Sequence, residues 1–246
     1  MSGRNKNERL SFGKRIVKRL FPFYLPFAQF IRSHRLLIRY LFNVRLRKSD
    51  KVTWDFTTLV LKHALRKRVL KNISVLEIGV GQAALLPIYL AQKFGIKADG
   101  VDIVADRVKR SKQVAQYNTI PIRIWQSDFF QHVDNKYDLV FWNASYIPTD
   151  FGKEYDLTHR EELGDSRAWD GGSNGTDAID RFLNQAPLYL TPGGEILLGV
   201  NRFYVPAERM SLVIQNSSLV VFDCISRPLN PSVVYVLRRK ETQNEK

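Results

Sequence analysis

Short apolar runs alternate with helical stretches along most of the chain. The apolar runs predict strands at 73–78, 97–101, 122–125, 139–142, 195–200, 219–225 and 233–237. The stretches between them predict helices near 83–94, 105–118, 178–190 and 206–215. Strands that alternate with helices are typical of an α/β fold built on a parallel sheet.

The connection between the last two predicted strands differs from the others. Residues 226–232 contain Pro228 and Pro231 and are too short for a crossover helix, so these strands should be antiparallel neighbours. We therefore predict an α/β protein with a Rossmann-like, seven-stranded, mostly parallel sheet. We expect helices on both faces, an antiparallel last strand, and an N-terminal basic helical arm.

A glycine turn follows the first predicted strand and opens a helix. Gly79 and Gly81 allow a tight turn and let the backbone approach a ligand closely. Asp102 ends the second strand, where its carboxylate can accept hydrogen bonds from the ribose of a nicotinamide or an adenosyl ligand. The same residues also fit a structural turn and a helix-capping aspartate. The turn alone does not choose between these readings.

Acidic and aromatic residues after the later strands favour an adenosyl ligand over a nicotinamide ligand. Glu77, the segment 124–130 and the segment 137–148 together resemble the class I S-adenosylmethionine-dependent methyltransferases. This resemblance implies that S-adenosyl-L-methionine is the cofactor. It implies these binding residues: Glu77 by the methionine end, Gly79 and Gly81 at the turn, Asp102 at the ribose, Asp128 at the adenine amino group, and Phe129 or Trp125 over the adenine face.

The residues at the end of the fourth strand resemble one particular group of these methyltransferases. Asn143-Ala144-Ser145-Tyr146 is similar to the Asn-Pro-Pro-Tyr motif of the HemK/PrmC group, which methylates glutamine amides in release factors. A planar amide keeps its lone pair delocalised, so an enzyme must hold the NH₂ group and aim the nitrogen at the methyl carbon. The Asn143 side-chain carbonyl and the Ala144 backbone carbonyl would each accept one N–H, and Tyr146 would stack on the planar group. We expect Asn143, Ala144 and Tyr146 to be catalytic, with Asn143 also at the cofactor.

Other segments support this narrower resemblance or depart from it. The glycine-rich segment and helix at 167–182 and the Pro-Gly-Gly turn at 192–194 follow in the order found in the HemK/PrmC group. Ala144 and Ser145, however, replace both prolines of the motif, and this replacement removes rigidity from the loop. The segment 52–58 precedes an apolar helix as in that group but lacks its proline.

The function that these patterns favour is methyl transfer to a planar nitrogen, with a glutamine side-chain amide of a protein as the candidate acceptor. One alternative is an N-methyltransferase for a nucleic-acid base or a small molecule. Another is a catalytically inactive module that keeps the cofactor fold, since the segment 143–146 also fits a plain turn. A nicotinamide-dependent dehydrogenase is disfavoured, because no hydride-transfer constellation such as Tyr-x-x-x-Lys is recognisable.

Charge is distributed unevenly over the 246 residues. The chain holds 38 Lys and Arg against 24 Asp and Glu, a formal charge of +14. Residues 1–50 hold 13 basic residues and two acids, or +11, whereas residues 51–246 carry only +3. This asymmetry predicts a basic, aromatic-rich helical arm at 1–50. The resemblance implies that residues 51–246 form a methyltransferase domain that binds S-adenosylmethionine.

The predicted arm is also amphipathic. One helical face collects apolar side chains, namely Phe12, Ile16, Val17, Leu20 and Phe21. Three roles fit such a segment: packing against the body, binding an anionic membrane surface, and binding RNA or a ribosome. Its longest uncharged run, 20–31, has 12 residues and contains two prolines, whereas a bilayer span needs about 20 apolar residues. We therefore expect no transmembrane helix.

Cysteine and histidine content bears on metal sites and location. Cys224 is the single cysteine, so neither an internal disulfide nor a cysteine-rich zinc site is expected. The four histidines are scattered, with no His-Glu-x-x-His arrangement, and no metal is expected. No secretory signal is recognisable, and the expected location is the cytoplasm. Peripheral association with a membrane surface and an organellar transit peptide are the alternatives.

Overall fold

The computed structural model describes residues 30–68, 72–159, 165–228 and 230–240. The strands are β1 Val75–Ile78, β2 Ala98–Asp102, β3 Arg123–Gln126, β4 Tyr137–Asn143, β5 Leu190–Asn201, β6 Leu219–Ser226 and β7 Ser232–Arg239. The helices are α1 Arg35–Phe42, α2 Phe56–Arg68, α3 Leu85–Phe94, α4 Ala105–Tyr117, α5 Thr149–Glu154, α6 Asp177–Gln185 and α7 Ala207–Gln215. The predicted strands are all present, with shifts at their ends.

The strands form one seven-stranded sheet in the order β3-β2-β1-β4-β5-β7-β6. Strands β1 to β5 are parallel to one another. Strand β7 is antiparallel to both β5 and β6, which confirms the predicted pairing of the last two strands. The chain runs outward in one direction from β1 to β3 and in the other from β4 onward. A crevice therefore opens between β1 and β4 at their carboxyl ends.

Apolar cores cover both faces of the sheet, as predicted. One core contains buried residues of α1 to α4, and the other contains buried residues of α6 and α7. Strand β4 shows the alternation: Phe141 belongs to the first core, and Val140 and Trp142 belong to the second. Strands buried on both faces have continuous rather than alternating hydrophobicity, which explains the unbroken apolar runs in the sequence.

Helix α2 approaches β5 very closely at Gly199. A Cβ atom on this glycine would lie 2.7 Å from Thr57 Cγ2 and 2.9 Å from Leu61 Cδ1. Carbon atoms in contact are normally about 3.5–4.0 Å apart, so a larger residue would push the helix away. Gly199 pairs with Asn143 in the sheet. The start of α2 is therefore held beside the end of β4.

The described part of the basic arm lies on the body. Ile38, Phe42 and Val44 are fully buried in the core shared with α2 and α3. Packing against the body therefore accounts for this part of the arm, whereas the apolar face predicted at 12–21 lies outside the described residues. The division of the chain at residue 50 and an acidic partner for the arm stay predictions. Among the helices that the structure describes, none is both long and apolar enough to cross a bilayer.

Two helical segments differ from the prediction. The helix predicted at 178–190 ends at Gln185 and is followed by a 3₁₀ turn that contains Pro187. Proline lacks the N–H that would continue the α-helical hydrogen bonds. Helix α5 is not among the predicted helices, since its six residues show no apolar period. Its position depends on a tertiary contact, because a Cβ atom on Gly152 would lie 1.9 Å from the Trp169 ring.

Substitution of Phe42 tests whether α1 belongs to the folded core. Phe42 is 0% exposed, and its ring meets that of Trp54 edge-on, with 6.1 Å between centroids. Phe42→Ala should lower the free energy of unfolding by about 3–5 kcal/mol, because it leaves a cavity as well as losing apolar burial. Tyr40→Ala on the same helix, at a side chain 85% exposed, should change it by less than about 0.5 kcal/mol. Denaturant titration measures both values, and equal stabilities would place α1 outside the core.

Candidate functional site

The glycine turn after β1 has the conformation that its residues predict. Gly79 and Gly81 have positive φ angles of 68° and 65°, which glycine adopts without steric cost. A Cβ atom on Gly79 would lie 3.3 Å from the Trp142 Nε1 atom. The turn therefore brings bare backbone to the carboxyl end of the sheet, immediately before α3.

Asp102 at the end of β2 is tied to this turn. Its Oδ2 accepts a hydrogen bond from the Gly81 N–H at 2.9 Å, and its Oδ1 accepts one from the Val104 N–H at 2.9 Å. Asp102 is only 3% exposed. Burial raises the pKa of this carboxyl, although Arg107 and the two N–H groups oppose the rise. The carboxylate thus holds the glycine turn against the end of β2. It also binds the backbone of Val104, the residue before α4.

A cavity lies between β1, β4 and the segment before α2. Four predicted site residues line it, namely Glu77, Gly79, Gly81 and Asn143. The remaining lining residues come from the turn, α3, the segment before α2 and the first turn of α2: Val52, Thr53, Thr58, Val80, Gln82, Ala83, Leu85 and Leu86. The structure therefore brings the two ends of the predicted site, the glycine turn and the Asn143 loop, to one cavity.

Glu77 is a buried acid on this cavity. The side chain is 5% exposed, and its Oε2 has no hydrogen-bond partner among the described residues. Burial raises the pKa of Glu77 well above its usual range, and the nearby Asp102 carboxylate raises it further. A buried carboxylate in this position favours a positively charged ligand, which would restore the ionised form.

Asn143 lines the same cavity, and one end of its side-chain amide is held by neighbouring residues. Its Nδ2 donates hydrogen bonds to Asp55 Oδ1 at 3.1 Å and to Thr58 Oγ1 at 3.4 Å. Its Oδ1 is buried and unpartnered within the described part of the chain. A buried acceptor without a partner carries a desolvation cost of about 1–3 kcal/mol. This oxygen is therefore available to a ligand that carries an N–H group.

Tyr146 is not among the residues that line the cavity, and its hydroxyl donates a hydrogen bond to Asp55 Oδ2 at 3.1 Å. Thr57 Oγ1 lies 3.2 Å from the same hydroxyl and donates to Ser232 Oγ at 3.0 Å. The Tyr146 ring stacks on Tyr204 with 5.8 Å between centroids. Burial raises the pKa of the Tyr146 hydroxyl well above its usual range. The side chain is therefore fixed by hydrogen bonds and by stacking.

Backbone contacts brace the loop that contains Ala144. The Ala144 N–H donates to the Gly199 carbonyl at 3.0 Å and continues the pairing of β4 with β5. Further along, the Ile147 N–H donates to the Trp169 carbonyl at 3.1 Å, and the Gly171 N–H donates to the Ile147 carbonyl at 2.9 Å. The segment 169–171 thus supports a loop whose prolines are replaced.

Asp128 and Phe129 lie outside the cavity lining. The Asp128 carboxylate forms an ion pair with Arg181 at 2.6 Å. Phe129 has a positive φ of 48°, and its ring meets Trp142 edge-on at 5.0 Å between centroids. Strained backbone of this kind is often found near functional sites. Their contacts with the adenine of a cofactor stay predictions, as do the predicted substrate contacts of Ala144 and Tyr146.

The residue before α2 and the first turn of α2 supply site residues that are not among the predicted ones. Asp55 and Thr58 hold the Asn143 amide, although only Thr58 fitted the pattern of the HemK/PrmC group. The spacing of Asp55 and Thr58 is nevertheless a capping signal, and Asp55 Oδ1 accepts from the Thr58 N–H at 2.7 Å. That signal predicts the start of a helix, whereas the contact with Asn143 lies 88 positions away in the sequence.

The chain is similar in sequence to two curated relatives that are named as glutamine methyltransferases. It is 38% identical over 126 residues to a candidate protein N5-glutamine methyltransferase of Methanocaldococcus jannaschii, a match covering 51% of this chain and 60% of the relative. It is 28% identical over 145 residues to the release factor glutamine methyltransferase of Geobacter sulfurreducens, covering 58% of this chain and 50% of the relative. The chain thus spans only 50–60% of the length of these relatives. No protein-family model matches the chain.

A solved structure supports the fold. The ribosomal protein L11 methylase of Lactobacillus delbrueckii subsp. bulgaricus superposes with a TM-score of 0.59 at 16% identity, over 80% of this chain and 86% of that protein. The fold is the Rossmann-like fold of the class I S-adenosylmethionine-dependent methyltransferases, as the sequence predicts. The names of the two relatives confirm the resemblance to the HemK/PrmC group.

Metal ligands do not gather near this site. Within the ranges that the structure describes, no group of three or more His, Cys, Asp or Glu side chains is placed to hold a metal ion. The Glu77 carboxylate lines the cavity, and its Oε2 has no hydrogen-bond partner within that part of the chain. Such a site suits a cationic organic ligand.

The pH dependence of stability tests the environment of Glu77. Because its pKa is raised in the folded protein, wild-type stability should fall as pH rises from the unfolded value of about 4.3 through the folded value. Glu77→Gln removes this ionisation and keeps the side-chain shape. Its stability advantage over the wild type should therefore grow from about pH 5 to about pH 8 in denaturant titrations. Glu208→Gln, at an exposed position on α7, is the control and should show no such trend. If the difference in stability between Glu77→Gln and the wild type did not change with pH, the raised pKa would be contradicted.

Proposed function

We propose that the protein is an S-adenosyl-L-methionine-dependent methyltransferase that acts on a glutamine side-chain amide of a protein. The observation that carries the proposal is the pair of buried acceptor oxygens, Glu77 Oε2 and Asn143 Oδ1, on residues that line one cavity. Neither oxygen has a partner in the described structure. A buried acceptor without a hydrogen bond destabilises the protein, so two of them at one cavity favour a ligand that carries N–H groups or a positive charge.

The residues around the cavity fit this cofactor. Glu77 would lie by its cationic methionine end, and the backbone at Gly79 and Gly81 leaves room for close approach. Asp102 already holds the turn and would accept hydrogen bonds from the ribose, while Asp128 would receive the adenine amino group. When bound, the cofactor supplies an electrophilic methyl group on a positively charged sulfur. The chain itself then has to bind and orient the nitrogen that receives it.

Asn143 would orient that nitrogen. Its Oδ1 would accept one N–H of the acceptor amide, and the Ala144 carbonyl would accept the other, so the plane and direction of the NH₂ group are fixed. Nitrogen becomes positively charged as it bonds to the methyl carbon. The same two oxygens would stabilise this charge without any rearrangement. Tyr146 would set the position of the planar group from the far end of the loop. The methylated nitrogen is strongly acidic and would lose its extra proton to water, so no strong base is needed for this step.

The glutamine acceptor is supported by the relatives. Both are named for glutamine methylation, one of them for release factors. A protein substrate is the partner that this implies, and the cytoplasm is the location that fits such a substrate. The replaced prolines at Ala144 and Ser145 leave open a related planar nitrogen in a nucleobase or a small molecule, and a binding module without turnover. Activity assays distinguish these outcomes.

Loss of the Asp102 carboxylate tests the cofactor site. Asp102→Ala should weaken S-adenosylmethionine binding by at least about tenfold, because it removes an acceptor for the ribose hydroxyls from a buried site. Asp106→Ala on the exposed side of α4 is the matched control and should leave affinity unchanged. Calorimetry with S-adenosylmethionine, S-adenosylhomocysteine and NADPH in parallel measures these affinities. Tighter binding of NADPH would overturn the cofactor assignment.

Loss of the Asn143 carbonyl tests the acceptor site. Asn143→Ala should leave the Kd for S-adenosylmethionine within about threefold of wild type and lower kcat by about 10²-fold, because the oxygen acts mainly in the transition state. The assay follows methylation of a glutamine-containing release-factor peptide, with the matching asparagine peptide, adenine and a small amine as competing acceptors. Tight cofactor binding by the wild type without turnover of any acceptor would favour the inactive binding module.

A further inference from the structure

Asp55 joins three parts of the candidate site. It immediately precedes α2, and its Oδ1 accepts hydrogen bonds from the Thr58 N–H at 2.7 Å and the Thr58 Oγ1 at 2.8 Å. The same oxygen accepts from Asn143 Nδ2 at 3.1 Å, and Oδ2 accepts from the Tyr146 hydroxyl at 3.1 Å. One carboxylate therefore holds the start of α2 and both ends of the loop 143–146.

Helix capping explains only part of this arrangement. A capping aspartate uses one oxygen to accept from an N–H in the first turn of its helix, and the bond from the Thr58 N–H fulfils that role. The contacts with Asn143 and Tyr146 span 88 and 91 positions of sequence and contribute nothing to the cap. They assign Asp55 a second role, which concerns the loop.

The Asp55 carboxylate determines which way the Asn143 amide faces. An ionised carboxylate accepts hydrogen bonds and donates none, so it binds the NH₂ end of an amide and repels the carbonyl end. A flipped amide would place its oxygen against Asp55 Oδ1, at the position where Nδ2 now lies at 3.1 Å. The observed orientation leaves the Asn143 carbonyl for the cavity.

The Tyr146 end of the loop is anchored in the same way. Its hydroxyl keeps its proton at neutral pH, because burial raises its pKa well above the usual range. It can therefore donate to Asp55 throughout the physiological range. Ala144 and Ser145 between the two anchors lack the ring that restrains proline. The geometry of the loop depends all the more on what holds its ends.

We propose that Asp55 is a positioning residue for methyl transfer, which fixes the Asn143 carbonyl toward the acceptor and holds Tyr146 at the other end of the loop. The proposal rests on the proposed function, in which the Asn143 carbonyl accepts from the acceptor NH₂ group. Asp55 does not line the cavity. It acts through Asn143 and Tyr146 rather than on the reacting atoms.

Asp55→Ser is the variant that separates the two roles. Serine caps a helix about as well as aspartate, but its single oxygen cannot also reach Asn143 and Tyr146. We expect kcat on the glutamine peptide to fall by at least about tenfold, because misplacement of an orienting group by about 1 Å is costly. The Kd for S-adenosylmethionine should remain close to wild type, and the melting temperature should fall no further than in a control variant that loses a carboxylate of similar connectivity.

Asp138→Ser is the matched control. Asp138 lies at the opposite end of β4 and also accepts several hydrogen bonds, from the Ser74 N–H at 2.8 Å, the Ser74 hydroxyl at 2.9 Å and the Thr191 hydroxyl at 2.7 Å. This variant loses a carboxylate of similar connectivity far from the cavity. It should lower stability and leave kcat unchanged.

A double-mutant cycle tests whether Asp55 acts through Asn143. In an Asn143→Ala background, Asp55→Ser should lower kcat by a clearly smaller factor than in the wild type, because Asn143 is already gone and only the contact with Tyr146 remains to be lost. An equal loss in both backgrounds would overturn the proposal. The single and double variants should share one cofactor affinity, since a change in Kd would indicate a general disturbance of the cavity.

The side-chain amide of Asn143 gives a readout that is independent of turnover. Its NMR signal, assigned by its absence in Asn143→Ala, should shift and exchange faster with solvent in Asp55→Ser and stay unchanged in Asp138→Ser. An unchanged signal in Asp55→Ser would overturn the positioning role. A wild-type protein that methylates no acceptor would instead contradict the proposed function, while the amide signal still reports on Asp55.

If the serine variant does not fold, Asp55→Asn can replace it in the same experiments. Asparagine has the same shape and also caps helices well. Its amide can present either end to Asn143, so the signal should split or broaden and kcat should fall. Wild-type kcat together with an unchanged amide signal in Asp55→Asn would overturn the proposal.

Discussion

The close approach of α2 to the sheet at Gly199 is the constraint on which the candidate site depends. Because this glycine has no side chain, Thr57 and Leu61 reach the backbone of β5. Gly199 is paired with Asn143, so the approach brings the start of the helix beside the end of β4. The contacts of Asp55 and Thr58 with Asn143 are possible only at this separation. A packing feature of the core thus determines the hydrogen bonding of the site.

The position of the site also follows from the order of the strands. Strands β1 and β4 are neighbours although the chain leaves them in opposite directions, and the crevice between their carboxyl ends is the usual ligand position in open α/β sheets. Glu77 and Asn143 come from these two strands. Their unpartnered oxygens are oriented before any ligand arrives, which reduces the reorganisation needed at the moment of reaction.

Local signals in the sequence predict the sheet and much of the cavity, because residues that follow parallel strands must meet at one edge. Glu77, Gly79, Gly81 and Asn143 come together for this reason. Local signals do not predict the contacts of Asp55 or the ion pair of Asp128 with Arg181. That ion pair joins residues 53 positions apart in the sequence. Such contacts depend on how helices are placed across the sheet. Helix α5 is likewise fixed by Trp169 against Gly152 rather than by its own hydrophobic period.

The insertion of β7 between β5 and β6 has a consequence for the order in which the protein is completed during synthesis. Strand β6 leaves the ribosome before β7, yet its neighbour in the sheet is β7. The edge of β5 therefore stays open until residues 232–239 have been made. Ser232, the first residue of that strand, accepts the hydrogen bond from Thr57 at 3.0 Å. A nascent chain that stops before Ser232 has the glycine turn and the Asn143 loop but lacks the final support of Thr57, so the site matures only with the last strand.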